Sequence, residues 1–171
     1  MMIIDLDRLG DSNKSFEFSV PAADLDLDTE NVRLKGDTVA SGEVRKSIAK
    51  IDVTGTISVP AEIDCTRCLT PIEKVLSFDF DVSYVPLENV AKEGDVELGM
   101  SDLDVDAITG DELDLKEVVR EQILLNLPEQ EFCTEDCKGL CQKCGGNLNL
   151  IDCKCEETEI DPRWAALKNL K

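Results

Sequence analysis

The 171 residues contain no histidine. That removes the commonest general acid–base and the imidazole ligand typical of open, catalytic zinc sites. Aromatic residues are scarce, with five Phe, one Tyr and one Trp, so aliphatic side chains must fill any core. No apolar run approaches the roughly 18 residues of a membrane-spanning helix. The sequence holds no glycine-rich phosphate loop and no nucleophile elbow. The opening Met1-Met2-Ile3-Ile4-Asp5 turns acidic at once, where an export signal would carry bases and then a longer apolar stretch. The expectation is therefore a cytoplasmic chain whose thiols stay reduced. No small-molecule substrate is suggested either.

Basic residues are also in short supply. Eighteen Lys and Arg face 37 Asp and Glu, a formal charge of −19. The imbalance is steepest over residues 87–130, where 13 acids meet 3 bases. Such a field repels nucleic acid and attracts basic partners, although a scattered acidic surface also serves solubility alone.

Cysteine is the residue present in excess. Six of eight lie between Cys133 and Cys155, among Lys, Glu, Asp, Gly and Asn. The other two form Cys65-Thr-Arg-Cys68. A Cys-x-x-Cys pair lets two sulfurs face one cation, and four thiolates make a closed structural zinc site. Disulfides compete with this reading but suit an oxidising compartment. Thioredoxin-like chemistry needs the motif to open a helix, and Gly145-Gly146-Asn147 breaks one. Zinc is the preferred reading. Cys141, Cys144, Cys153 and Cys155 are the nearest set of four, with one residue instead of two inside the second pair. Cys65, Cys68, Cys133 and Cys137 would then make a second site. Two ions shared among the six tail cysteines are the weaker alternative.

The fold class expected is α+β. The N-terminal half, residues 1–86, reads as an antiparallel, partly closed sheet or barrel. Phe16, Phe18 and Val20 alternate, as do Ile51 to Val59 and Leu76 to Tyr84. Gly36-Asp37 is expected to turn the chain so that residues 39–44 return against 32–35. Asp24 to Asp28 reads as a loop or solvated edge. Residues 87–112 lack an apolar period and read as a mobile acidic loop. Asp102-Leu-Asp-Val-Asp106 lacks the glycine and closing glutamate of a calcium loop. Residues 113–128 hold one long helix, about 114–126, with a capping box from Asp114 to Glu117 and an apolar stripe widened by Leu124 and Leu125. Residues 129–171 form a Cys-rich zinc-knuckle tail ending in a short helix. Asp161-Pro162 opens that helix, and Trp164, Leu167 and Leu170 share a face that must dock.

Together these segments resemble a known family. Cys65-Thr-Arg-Cys68-Leu69 at a hairpin turn, the helix ending in Leu-Leu-Asn-Leu-Pro128, the run Cys137-Lys-Gly-Leu-Cys141-Gln-Lys-Cys144-Gly-Gly-Asn-Leu-Asn149, Cys153-Lys-Cys155 and Asp161-Pro-Arg-Trp-Ala-Ala-Leu167 are similar to the bacterial YceD proteins. These are large ribosomal RNA subunit accumulation proteins. The resemblance covers most of the chain from Cys65 to Leu170. It implies a non-enzymatic protein of ribosome assembly and brings over no catalytic residue. Acidity argues against simple RNA binding, so a basic ribosomal protein or a large-subunit assembly intermediate is the favoured partner. Asp102, Asp104 and Asp106 would steer it, with Trp164 as an anchor. Direct rRNA contact would fall on Arg33, Lys35, Arg45, Lys46, Lys50 and Arg67. The rival reading from another class is a zinc- or redox-responsive regulator that uses the surplus cysteines.

Overall fold

A computed structural model describes residues 2–9, 13–48, 50–87 and 105–155. The chain divides into two compact units. One comprises Met1–Ile63 and Glu73–Glu129, the other Asp64–Ile72 and Gln130–Lys171.

The first unit is mostly β. Strands β2 (Asn13–Val20), β4 (Thr38–Lys46), β5 (Ile51–Asp64), β6 (Pro71–Pro86) and β7 (Val105–Ile108) lie in that order, and β3 (Val32–Leu34) also pairs with β5. β5 explains why the sheet forms. Ile51, Val53, Ile57, Val59, Ala61 and Ile63 are buried at every second position, and their neighbours are less buried. A period of two with one apolar face is the condition for a half-buried strand. Leu76, Phe80, Val82 and Tyr84 do the same on β6.

The expected fold class needs correction. The sheet is an open path with β2 and β7 at its ends, so it is not a partly closed barrel. It is not wholly antiparallel either, because β7 pairs parallel to β6, with Ser83 opposite Val105. Parallel neighbours need a long connection, and residues 87–104 supply its length. The long helix is short: α2 spans Leu115–Leu125, eleven residues. With α1 (Leu6–Leu9), it makes two short α-helices among the described residues. Asp114 caps α2 by accepting from the Lys116 N–H at 2.9 Å. Glu117 pairs with Arg120 at 3.3 Å, so the expected capping box does not form. Leu115, Val118, Val119 and Ile123 are buried, whereas Leu125 is 76% exposed and does not widen the stripe.

Three further expectations change in detail. Gly36-Asp37 does not turn the chain back. β3 and β4 both run antiparallel to β5, so they form one interrupted strand in which Lys35 to Thr38 face only Val59 and Pro60. Pro60 has no N–H to give, and its ring lies 2.9 Å from where a Gly36 Cβ would sit. The stretch after Asp24 is a loop as expected but not a solvated edge: Leu25 and Leu27 are buried in the core, while Arg120 binds the Asp26 carbonyl and the Asp28 carboxylate outside it. The acidic stretch 87–112 also contains order, because β7 and the start of β8 (Glu112–Asp114) fall within it. β8 pairs with β1 (Ile3–Asp5), bringing the first residues against the entry to α2.

Candidate metal centres

The described residues of the second unit hold little secondary structure and are built around sulfur. Between β5 and β6 the chain makes a tight turn in which the Cys65 N–H donates to the Thr70 carbonyl and the Leu69 N–H to the Cys65 carbonyl, both at 2.9 Å. The same pair of bonds recurs at Cys141, from its N–H to the Gly146 carbonyl and from the Gly145 N–H to its own carbonyl, both at 2.8 Å. Gly145 has φ +69° and Leu69 has φ +58°. The left-handed conformation that lets the second sulfur swing beside the first suits glycine, yet the first knuckle holds leucine there. That placement carries about 1–2 kcal/mol of strain.

The two knuckles meet different partners. Cys65 and Cys68 face Cys133 and Cys137, with sulfur separations of 3.8 Å (Cys65 to Cys137) and 3.5 Å (Cys68 to Cys133). Cys141 and Cys144 face Cys153 and Cys155, at 3.4 Å (Cys141 to Cys153) and 3.7 Å (Cys144 to Cys153). Within each quartet all four sulfurs lie within 4.8 Å of one another. All eight cysteines are free. A disulfide needs sulfurs about 2.05 Å apart. Four sulfurs about 2.3 Å from one tetrahedral cation stand about 3.8 Å apart, close to the spacings seen here. The first quartet is the buried one: Cys65, Cys68 and Cys137 are buried, and Phe132, Leu140 and Ile72 pack against them. In the second, Cys144 and Cys155 are exposed.

Electrostatics favours a cation in both. Burial pushes the Cys65 thiol up, but N–H groups of Cys133, Cys68 and Arg67 outweigh it and bring it down to about 6. Hydrogen bonds from the Cys144 and Lys143 N–H groups likewise bring Cys141 to about 6. Hydrogen bonding to Cys68 and Cys137 pushes Cys133 up to about 12, and bonding to Cys153 and Cys144 does the same to Cys155. Each quartet thus sets a thiol brought down beside one pushed up, since like charges this close cannot all ionise alone. A divalent cation at the centre reverses that balance. Both quartets fit a closed, all-sulfur metal site with no open position.

The cations suggested for RNA contact are otherwise engaged. Arg33 and Lys35 both bind Glu62, at 2.7 and 2.8 Å. Arg45 donates to the Asn13 side chain. Lys46 binds the Leu6 carbonyl, and Lys50 binds Asp52 at 2.8 Å. Arg67 lies 4.4 Å over the Phe132 ring and donates to the Cys137 carbonyl. Arg33 and Arg45 do not share a patch: Glu62 and Asp52, which face them in register, are separated by roughly 30 Å of strand. Arg45 and Lys50 share a cleft of about 330 Å³ with Glu43, Asp52 and Asp81, a mixed surface rather than a basic one. Asp106 is exposed on β7, opposite Tyr84. Asp102, Asp104 and Trp164 lie outside the described residues.

Sequence reasoning missed Asn147 and Asn149. The Asn149 side-chain amide donates to the Cys137 sulfur at 3.3 Å, and its oxygen accepts the Lys138 N–H at 2.8 Å. The Asn147 amide reaches the Thr70 hydroxyl, which is bonded to Cys68. The Asn-Leu-Asn spacing was a local signal, because Asn147 accepts the Asn149 N–H in an Asx turn.

The family model described as "Large ribosomal RNA subunit accumulation protein YceD" matches residues 53–171. An uncharacterized protein of Mycobacterium tuberculosis is 30% identical over 115 residues, 67% of this chain and 53% of its own length. The uncharacterized protein YlbN of Bacillus subtilis is 28% identical over 160 residues, 92% of this chain and 88% of its own. The protein named "Large ribosomal RNA subunit accumulation protein YCED homolog 1, chloroplastic" of Arabidopsis thaliana is 37% identical over 60 residues, 35% of this chain and 19% of its own length. The chain spans about half the length of the mycobacterial relatives it matches. No solved structure matches it.

Proposed function

Because the chain belongs to the YceD family of large ribosomal RNA subunit accumulation proteins, we propose that it is a non-enzymatic assembly factor that supports large-subunit rRNA levels by engaging a basic ribosomal protein or a precursor particle in the cytoplasm. The family match is the observation that carries this reading. Two features support its finer parts. The sulfur quartets are closed, which suits scaffolding better than catalysis, and the donor set and spacing suit zinc. The suggested RNA-contacting cations are already paired with protein groups, which favours a protein contact over RNA. The acidic segment 87–112, including exposed Asp106, steers the partner through long-range attraction that salt weakens. Trp164 anchors it. Among the described residues, no helix is long and apolar enough to cross a membrane.

Affinity capture from gently lysed cells, followed by gradient sedimentation, tests this. The protein should travel with large-subunit precursors and leave them as salt is raised. Tight binding of isolated large-subunit rRNA fragments at physiological salt, without protein, would replace the protein-partner mechanism with direct RNA recognition. One observation favours a second reading, a thiol-responsive regulator: Cys144 and Cys155 are exposed. In an assembly factor with structural zinc, all eight thiols react slowly until a chelator is added. In a sensor, two or more react at once.

A further inference from the structure

The loop between the two halves of the exposed quartet serves the buried one. Gly145 to Asp152 joins Cys144 to Cys153, so a metal in the exposed quartet pins both ends of that loop. Gly145 and Gly146 bond to Cys141 of their own quartet, and beyond them the loop turns to the chain before Cys141. The Leu148 N–H donates to the Gly139 carbonyl at 2.9 Å, and Asn147 bridges to Leu140. This sets Asn149 against a ligand of the other quartet and Asn147 against Thr70, beside another. The Asn149 amide donates to the Cys137 sulfur while its oxygen takes the Lys138 N–H, next to that ligand in sequence. The Asn147 amide donates to the Thr70 hydroxyl, which also accepts from the Cys68 thiol. One ligand of the buried quartet, Cys137, thus receives an outer hydrogen bond from a loop whose two ends the exposed quartet pins. Donors to a metal-bound thiolate spread its charge and orient it, and removing such a partner typically weakens metal binding about 10–100-fold.

We propose that the two quartets bind metal cooperatively and that Asn149 is the positioning residue that couples them. The inference rests on the metal reading above. Metal in the exposed quartet orders the loop, the loop seats Asn149 on Cys137, and the buried quartet tightens. Linkage makes the effect reciprocal, so metal in the buried quartet strengthens the exposed one by the same factor.

The experiment is an anaerobic Co²⁺ titration of the full-length apo chain against a competing chelator, read by the sulfur-to-cobalt charge-transfer bands. Cys144→Ser with Cys153→Ser disables the exposed quartet, and the remaining site should weaken by about 10–100-fold. Cys68→Ser with Cys133→Ser should weaken the exposed quartet equally. In the wild-type background Asn149→Ala should weaken the buried site and shift its charge-transfer band to lower energy, since a sulfur without its N–H donor gives up an electron more readily. In the chain lacking the exposed quartet, the same substitution should change little, a non-additivity that marks coupling. Asn149→Asp keeps the acceptor for the Lys138 N–H and removes the donor, so it should weaken the site as alanine does while preserving the local fold. If the wild-type chain binds two Co²⁺ and each site is indifferent to loss of the other, the coupling is overturned and the metal reading stands. If Asn149→Ala is additive with loss of the exposed quartet, Asn149 is not the link. If no charge-transfer band appears, both readings fall.

Discussion

Thr38 is fully buried, and its hydroxyl oxygen has no hydrogen-bond partner among the described residues. An unsatisfied buried hydroxyl is more costly than its absence. Thr38→Val, which keeps the branched shape, should raise unfolding free energy by about 1 kcal/mol in urea titration. Tyr84 gives a second test at this scale. Burial pushes its hydroxyl up to about 12, aided by Glu121 and Asp106. A folded value above the unfolded one of about 10 contributes stability below pH 10 that is lost as pH rises through 12. Tyr84 is the chain's one tyrosine, so ultraviolet titration reads it alone. The midpoint should lie near 12 in the folded chain and near 10 in denaturant. A folded midpoint near 10 would show that the ring is not shielded. Single residues also show what sequence could reveal. Cys65 and Cys68 were legible because a Cys-x-x-Cys turn is a local arrangement, four residues that can bring two sulfurs to one side. Asn149 was not, because its meaning depends on Cys137 and on a loop fold that no spacing encodes.

Among the elements, β4 and β5 are pressed together at one point. Gly42 lies opposite Gly55, and Phe16 pairs across β2 with Gly42. A Cβ on Gly42 would collide with the Thr54 carbonyl and come within 2.8 Å of both the Gly55 Cα and the Phe16 ring. Backbone cannot yield as a side-chain end can. Gly42→Ala should therefore lose about 3 kcal/mol of stability, measured by denaturant unfolding. A loss under half that would mean the strands separate easily. The alternation of β5 and β6 was readable because burial on one face imposes a period of two. The continuity of β3 with β4 was not, since Gly36-Asp37 reads as a turn unless Pro60 is known to lie opposite. β7 escaped for a similar reason. A parallel edge strand takes its partner from across a long connection, and four residues carry no pattern of their own. Helix position followed from the stripe, but Leu125 is turned outward and α2 stops after three turns.

At the scale of the whole molecule, the two units draw stability from different sources. The sheet unit buries a continuous aliphatic core. Among its described residues the sulfur unit buries Cys65, Cys68 and Cys137, with Ile72, Phe132 and Leu140 against them. Metal binding of structural sites contributes on the order of 10–16 kcal/mol in small peptides, far beyond what that small cluster supplies. Chelation, or Cys141→Ser for the exposed quartet, should make residues 133–155 sensitive to protease while the sheet keeps its circular dichroism. Elemental analysis should find two zinc per chain before chelation. Loss of the sheet signal together with the metal would show that the units do not unfold separately.

The buried quartet draws its ligands from distant parts of the chain, and this has a consequence during synthesis. Cys137 is polymerised 72 residues after Cys65, about 4–14 s later at translation rates of 5–20 residues per second. The exposed quartet is finished within 14 residues of its first sulfur, about 1–3 s. A nascent chain therefore carries the Cys65–Cys68 thiols with half a site for much of its translation, and any slowing of elongation lengthens that interval. Oxidant present while the protein is being made should reduce its yield more than the same oxidant applied to the finished molecule.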